Sequence, residues 1–231
     1  MRNAPDLRVY LVTDAEQCES MGRSVLETVE AAVEGGATCV QLRAKNSDGG
    51  PFLDEVCEVA NAVGDQVPVI VNDRVDVFLA ARALGVPVAG VHVGQADLPA
   101  KVVREMIGEV AFLGLSVGTD EEARIAASEG AADHVGLSVL RTTATKTDTP
   151  DVLGYDGCER LARLAVMPSV AIGGVGIDDM APLKARGVNG AAVVSAICCA
   201  EDPKQAARDL LNAWSSAPGA GRQEATGVSD R

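Results

Sequence analysis

Three polar side chains at the end of one apolar run have the types and spacing needed to bind an anion. Gln41, Arg43 and Lys45 occupy alternate positions where the run 38–43 ends. Alternate residues of a β-strand point to the same side, so the three side chains converge if this run is a strand. Arginine offers a planar fork of donors, lysine a point charge and glutamine an amide. The pattern predicts a cationic anion-binding group, and a solvated strand end is the alternative.

Two carboxylates follow the next two apolar runs of the chain. Asp73 comes directly after the third run, whose last residue is Asn72, and Asp97 follows the fourth. Mg²⁺ binds few protein carboxylates and fills its coordination sphere with water and phosphate oxygens, so this pair could hold one Mg²⁺. Each aspartate could instead cap the helix that starts two residues later, at Val75 or at Pro99. The sequence leaves both interpretations open.

A second set of donors is mostly neutral. It comprises Ser116, the hydroxyl-rich segment 142–150 with its single Lys146, the glycine turn 173–176, and the pair Val194-Ser195. Glycine turns let a phosphate approach backbone N–H groups closely, although a plain turn or a solvated loop would look the same. One cationic and one neutral anion-binding region predict that two phosphorylated substrates meet in one pocket.

The sequence offers no convincing covalent nucleophile. It has six cysteines without a CxxC pair and only two histidines, and no Ser/His/Asp set is evident. Metal-assisted departure of pyrophosphate is therefore favoured over covalent catalysis. The cysteines are interpreted as buried, reduced thiols of a cytoplasmic protein.

Net charge excludes several classes of partner. The formal charge is −13, from 33 acidic residues against 20 Lys and Arg. Repulsion at such a surface argues against nucleic acid and anionic membranes, but a local cationic pocket can still bind small anions. No apolar run reaches the roughly 18 residues of a membrane-spanning helix, and no apolar leader is visible near Met1. The sequence does not fix the oligomeric state and is compatible with a homo-oligomer.

Strands and helices alternate regularly along the chain. Apolar β-branched runs predict strands at 7–13, 38–43, 67–72, 90–93, 112–117, 134–138, 169–172 and 190–194. Periodicity and caps predict helices at 24–34, 52–63, 75–83, 99–107, 119–130, 157–165, 178–186 and 203–214. Eight such pairs favour a single-domain α/β fold, a (β/α)8 TIM barrel over 1–214, rather than an open doubly wound sheet. The Gly- and Ser-rich segment 215–231 is predicted to be a disordered tail.

Eight segments in a fixed order resemble the thiamine-phosphate synthase (thiamine-phosphate pyrophosphorylase) family. They are YLVTD (10–14), GGATCVQLRAK (35–45), VNDRVDV (71–77), GVHVGQADL (90–98), GLS (114–116), TTATK (142–146), AIGGVGIDD (171–179) and GAAVVSAI (190–197). The resemblance covers nearly the whole chain apart from the tail. It implies a (β/α)8 barrel that condenses 4-amino-5-hydroxymethyl-2-methylpyrimidine diphosphate with 5-(2-phosphooxyethyl)-4-methylthiazole, or its carboxylated precursor, to thiamine phosphate and pyrophosphate.

The resemblance also implies roles for individual residues. The pyrimidine diphosphate would be held by Gln41, Arg43, Lys45, Asn72, Ser116 and Lys146, of which Arg43, Lys45, Ser116 and Lys146 are the catalytic candidates. The thiazole phosphate would be held by Thr143, Thr145, Gly174, Val194 and Ser195, and Mg²⁺ by Asp73 and Asp97. The family chemistry is dissociative: pyrophosphate leaves first, and the thiazole nitrogen attacks a pyrimidine methylene cation.

The chain departs from the common family pattern at three places. Ser138-Val139 stands where many members have Gly-Pro, Arg141-Thr142 where many have an aromatic residue and Pro, and Gly118 where many have His. A related thiazole tautomerase uses such a His for proton transfer and lacks the second metal aspartate and the TxTK segment. A catalytically silent sensor of phosphorylated ligands is the second alternative, since a fold alone does not determine activity.

Overall fold

Eight parallel strands close into a barrel in the computed structural model, which describes residues 5–141 and 152–219. Each strand pairs with the next along the chain, and β8 pairs with β1. The strands are β1 Val9–Val12, β2 Cys39–Leu42, β3 Val69–Asn72, β4 Gly90–Val93, β5 Phe112–Val117, β6 His134–Ser138, β7 Ser169–Ile172 and β8 Gly190–Val193. The prediction of a single-domain (β/α)8 barrel is therefore confirmed.

Helices surround the barrel and connect its strands. They are α1 Ala15–Ser20, α2 Val25–Gly35, α3 Gly49–Val63, α4 Val75–Ala83, α5 Ala100–Ile107, α6 Asp120–Glu129, α7 Gly154–Ala165, α8 Met180–Ala185, α9 Ser195–Cys198 and α10 Pro203–Ser216. A 3₁₀ turn, Ile177–Asp179, precedes α8. The predicted set of eight helices omitted α1 and α9. At six and four residues, both are too short to show a repeating apolar stripe.

Side-chain caps define where several of these helices begin, and those at Thr119 and Asp202 were predicted from the sequence. Ser24 and Glu27 form a reciprocal capping box at the start of α2, and Thr119 and Glu122 form another at the start of α6. The side chain of Asp202 accepts the N–H of Gln205 at the start of α10. These bonds satisfy backbone N–H groups that have no acceptor within the helix. The local sequence therefore determines the residue at which each of these helices begins.

Apolar residues form two layers separated by the strand backbones. Alternate strand residues such as Tyr10, Ile70 and Val170 fill the barrel, and the other strand residues pack against the helices.

The six cysteines are free, as predicted, but only four are buried, because Cys57 is half-buried and Cys199 exposed. Helix α10 continues two residues past its predicted end at Trp214, and the predicted tail beyond residue 219 lies outside the described residues. No helix within 5–141 or 152–219 is long and apolar enough to cross a membrane.

A buried ion pair holds the barrel together at the end opposite the predicted site. Nη2 of Arg104 lies 2.6 Å from Oδ2 of Asp133, and the two side chains are only 7% and 4% exposed. The guanidinium also donates to the carbonyls of Gly108, Ala111 and Ala131. The same carboxylate oxygen accepts the N–H of Leu113 in β5. The pair thus joins α5 to the segments that lead into β5 and β6.

Replacement of Arg104 by methionine should lower the free energy of unfolding by about 3–5 kcal/mol, because it leaves the Asp133 carboxylate buried without its counter-charge. Urea denaturation measures the loss. The exposed pair Arg163–Glu159 provides the matched control, and R163A should cost less than about 1 kcal/mol. Equal losses of unfolding free energy in R104M and R163A would contradict the expectation that a buried ion pair matters more to stability than an exposed one.

Candidate active site

The three side chains predicted to bind an anion after β2 lie in three different environments. Gln41 points into the barrel and donates from Nε2 to the hydroxyl of Tyr10 at 2.8 Å. Arg43 is anchored to the end of β1, since its N–H donates to Oγ1 of Thr13 at 3.1 Å and its guanidinium lies 3.8 Å from Asp14. Lys45 is exposed. The three side chains therefore share one end of the barrel at different depths.

Asp73 and Asp97 meet beside Lys45. Burial and the neighbouring Asp97 carboxylate raise the pKa of Asp73 to about 6, while a hydrogen bond from Asn72 and the charge of Lys45 oppose the rise. Asp73 has a φ of 60°, a left-handed conformation that is uncommon outside glycine. Its N–H donates to the carbonyl of His92 at 2.8 Å. The backbone thus holds two carboxylates together although their charges repel.

The capping alternative for these aspartates is wrong. Arg74 and Pro99 occupy the N-cap positions of α4 and α5, and neither helix has a side-chain cap. Asp97 instead accepts the N–H of Gly94 at 2.7 Å, which fixes it next to the end of β4. No group of three or more His, Cys, Asp or Glu suited to a metal occurs in the described parts of the chain. Two carboxylates without a third protein ligand suit Mg²⁺, which keeps positions for water and phosphate oxygens.

A histidine that sequence analysis did not select lies beneath Ser116. Nε2 of His92 is 2.9 Å from Oγ of Ser116, and Nε2 of Gln95 donates to the carbonyl of the same serine at 2.7 Å. The ring of His92 lies 5.7 Å from that of His134, which in turn lies 5.9 Å from Tyr10. Polar side chains on four strands thus form a continuous layer below the mouth of the barrel.

Two inward-facing glycines make room for this layer. A Cβ on Gly114 would come within 2.2 Å of Nδ1 of His92 and 2.6 Å of Nε2 of His134. A Cβ on Gly136 would come within 3.1 Å of Cε1 of His92. Glycines at inward positions of neighbouring strands were therefore the signal in the sequence that large polar rings fill the barrel here.

His134 is held neutral at the centre of the barrel. Its side chain is fully buried, and neither ring nitrogen has a hydrogen-bond partner among the described residues. Burial lowers the pKa of His134 to about 4. The charged form is disfavoured because water cannot solvate it there.

Acid should destabilise the protein through His134. Its pKa is lower in the folded than in the unfolded chain, so the unfolded state takes up a proton first as the pH falls below about 6.5. This differential uptake should remove about 3 kcal/mol of stability by pH 4. Urea denaturation of the wild type and of H134F between pH 7 and about 4 isolates the contribution. Parallel pH profiles for the two proteins would contradict it.

The neutral donors lie at the ends of β7 and β8. Gly173 and Gly174 have φ values of 98° and 64°, and Gly174 is exposed. Val194 and the exposed Ser195 follow β8, the neighbour of β7. These predicted residues therefore lie on adjacent strand ends. Thr143, Thr145 and Lys146 lie outside the described residues.

Comparisons with known proteins agree on one family. The family model described as thiamine monophosphate synthase matches residues 9–197. The thiamine-phosphate synthase of Vibrio campbellii is 44% identical over 88% of this chain and 96% of its own length. That of Corynebacterium efficiens is 41% identical over 96% of this chain and 100% of its own. The solved thiamine phosphate pyrophosphorylase from Pyrococcus furiosus is 31% identical with a TM-score of 0.78, and the match covers 91% of this chain and 96% of that one.

Proposed function

The chain belongs to the thiamine monophosphate synthase family and is a transferase of thiamine biosynthesis, and from this premise we propose its substrates and site. It joins 4-amino-5-hydroxymethyl-2-methylpyrimidine diphosphate to 5-(2-phosphooxyethyl)-4-methylthiazole, or to its carboxylated precursor, releasing pyrophosphate. The observation that carries this proposal is the pairing of Asp73 with Asp97 beside Lys45. Two carboxylates next to a cation suit a metal-bound diphosphate better than any neutral ligand.

Mg²⁺ fits the carboxylate pair. Asp73 and Asp97 would be its ligands, and the hydrogen bond from Asn72 orients the Asp73 carboxylate. When bound, the ion stabilises the charge that grows on the departing pyrophosphate. In its absence the two carboxylates raise the energy of the site, as the elevated pKa of Asp73 indicates. The site is therefore preorganised to attract a cation.

The basic side chains assist departure of the leaving group. Arg43 and Lys45 lie after β2 on the same side of the mouth as the carboxylates, and Lys146 is proposed as a third cation. Arg43 is held through Thr13 and Asp14, so its position is set before the substrate arrives. Fixed charges that face the site of developing negative charge stabilise the transition state more than the ground state.

Ser116 and Gln41 complete the pyrimidine diphosphate site. His92 orients the Ser116 hydroxyl at 2.9 Å, and Tyr10 accepts from the Gln41 amide at 2.8 Å. The serine is thereby aligned to donate to an oxygen of the substrate. No covalent nucleophile is required, because the pyrimidine methylene cation formed on loss of pyrophosphate is attacked directly by the thiazole nitrogen.

The second substrate occupies the side of the mouth formed by β7 and β8. Gly174, Val194 and Ser195 bind its phosphate, together with Thr143 and Thr145. Backbone and hydroxyl donors suit a monophosphate that must bind without a metal. A tautomerase reaction is not favoured, because Gly118 provides no side chain for proton transfer, and its N–H donates to Glu122 at 2.6 Å.

A coupled assay tests the proposed reaction. Purified protein is supplied with both substrates and Mg²⁺, and thiamine phosphate and pyrophosphate are measured together. Equal amounts of the two products, lost when EDTA is added, are expected. Tight binding of either substrate without product would favour the sensor alternative. The strongly acidic net charge of −13 leads us to expect that the same preparation has no affinity for nucleic acid. The six free thiols are typical of a cytoplasmic protein, which is the location we propose.

A further inference from the structure

A buried carboxylate organises the segment that follows β7. Asp179 is only 3% exposed, and its two oxygens accept from Nη1 and Nη2 of Arg141 at 2.8 and 2.6 Å. The hydroxyl of Tyr155 donates to the same carboxylate, as does the N–H of Gly176 at 2.8 Å. We call Arg141, Tyr155 and Asp179 the arginine cluster.

The arginine cluster connects three parts of the barrel mouth. Arg141 follows β6, Tyr155 lies in the first turn of α7, and Asp179 ends the 3₁₀ turn after β7. Arg141 also bonds directly to the glycine segment 173–176. Its backbone N–H donates to the carbonyl of Gly173 at 3.1 Å, and Nη1 donates to the carbonyl of Gly174 at 3.1 Å.

The glycine segment has only one side chain that can anchor it, that of Val175, which is buried in the core. Glycine has no side chain to anchor, and it loses more conformational freedom on ordering than any other residue. Three of the bonds named above end on the backbone of Gly173, Gly174 and Gly176. Charge-assisted bonds to a buried carboxylate are among the stronger hydrogen bonds of proteins, so the cluster is a firm support for this segment.

Arg141 does not face the ligand as a free charge. Both of its terminal nitrogens already donate to Asp179, and one also donates to Tyr155. The carboxylate neutralises the guanidinium, so any effect on a bound anion passes through the backbone that the cluster fixes. Arg141 stands where many members of the resembled family have an aromatic residue, and an aromatic side chain could make none of these guanidinium bonds.

We propose that Arg141 and Asp179 are positioning residues that fix the backbone of 173–176 and thereby set the affinity for the phosphorylated thiazole. The identity of that ligand rests on the proposed function. The geometry predicts an effect confined to one substrate, because Asp73, Asp97 and Lys45 belong to other strands and make none of the bonds described here.

Steady-state kinetics with each substrate varied in turn test this proposal. R141A and D179A should each raise the KM for the thiazole phosphate about tenfold, the effect of losing one well-formed hydrogen bond to a charged group. kcat and the KM for the pyrimidine diphosphate should change less than about twofold. R160A is the matched control, because Arg160 forms an Arg–Asp pair with Asp120 between helices α6 and α7, and it should leave both KM values unchanged.

Two further measurements separate positioning from loss of stability. R141A leaves a buried carboxylate without its cation, so its melting temperature should fall, whereas the double variant R141A/D179A removes both charges and should recover much of that loss. The double variant should keep the raised KM. Recovery of the KM together with the melting temperature would overturn the proposal, as would an equal rise in both KM values.

Calorimetric titration with the thiazole phosphate alone separates this inference from the proposed function. Wild-type protein that binds it and turns over both substrates supports the function, and weaker binding by R141A then supports the inference. Binding without turnover would contradict the proposed function and still test the role of Arg141. Equal affinity of wild type and R141A would contradict the inference and leave the function intact.

Discussion

We expect turnover to fall about a thousandfold when either Asp73 or Asp97 is replaced by asparagine, since Lewis-acid stabilisation of a leaving group amounts to several kcal/mol. Asparagine keeps the size of each side chain and removes only the negative charge. Steady-state kinetics at saturating substrates and a series of Mg²⁺ concentrations measure the effect. The variants should require far more Mg²⁺ than the wild type, because each has lost one of two carboxylate ligands.

Replacement of Asp73 by asparagine should also make the metal-free protein more stable. Burial and the charge of Asp97 raise the pKa of Asp73 to about 6, so ionised Asp73 costs free energy in the folded state at pH 7. Denaturation in EDTA should therefore show D73N to be at least as stable as the wild type, which excludes unfolding as the cause of inactivity. Asp76 is the matched control: it lies three residues away, pairs with Arg74 and is 66% exposed. Full activity in D73N would show that the aspartate pair does not hold a metal needed for catalysis.

The barrel was predictable because its signals are local and repeat eight times. Runs such as VPVIV and AAVVS indicate strands covered on both faces, and capping residues such as Thr119 and Asp202 indicate where helices begin. The two helices missed, α1 and α9, have only six and four residues, too few for an apolar stripe to repeat. Local sequence does not determine such turns.

The candidate site was predictable only where residues follow strands directly. Parallel strands of a barrel end at one face, so Asp73 and Asp97 could be placed together from their positions alone. Whether they capped helices could not be decided without the backbone, and the structure places Arg74 and Pro99 at those caps. Contacts between distant parts of the chain were invisible: His92 belongs to an apolar run, and the partners of Arg141 lie 14 and 38 residues away.

Replacement of Gly114 by alanine should damage both stability and catalysis, although it adds a single methyl group. The new Cβ would lie 2.2 Å from Nδ1 of His92 and 2.6 Å from Nε2 of His134, far inside van der Waals contact. The ring of His92 is the nearer of the two and is 8% exposed, whereas His134 is fully buried, so we expect His92 to move. Overpacking of this kind costs about 1–3 kcal/mol. A shift of about 1 Å in His92 would release Ser116 and can cost roughly a hundredfold in kcat.

The pattern of effects in G114A tests whether the buried layer positions Ser116 or only fills the barrel. G50A is the control, since a Cβ on Gly50 in helix α3 would meet nothing within 4 Å, and it should be as active and at least as stable as the wild type. The double variant G114A/H134A should regain part of the lost stability, because removal of the His134 ring gives the layer space to relax around the methyl group while the contact with His92 remains. If His92 then returns to Ser116, kcat recovers with it. If G114A/H134A recovers stability but not kcat, Ser116 needs the intact layer of His92, His134 and Tyr10. If G114A alone keeps an undiminished kcat, His92 does not position Ser116.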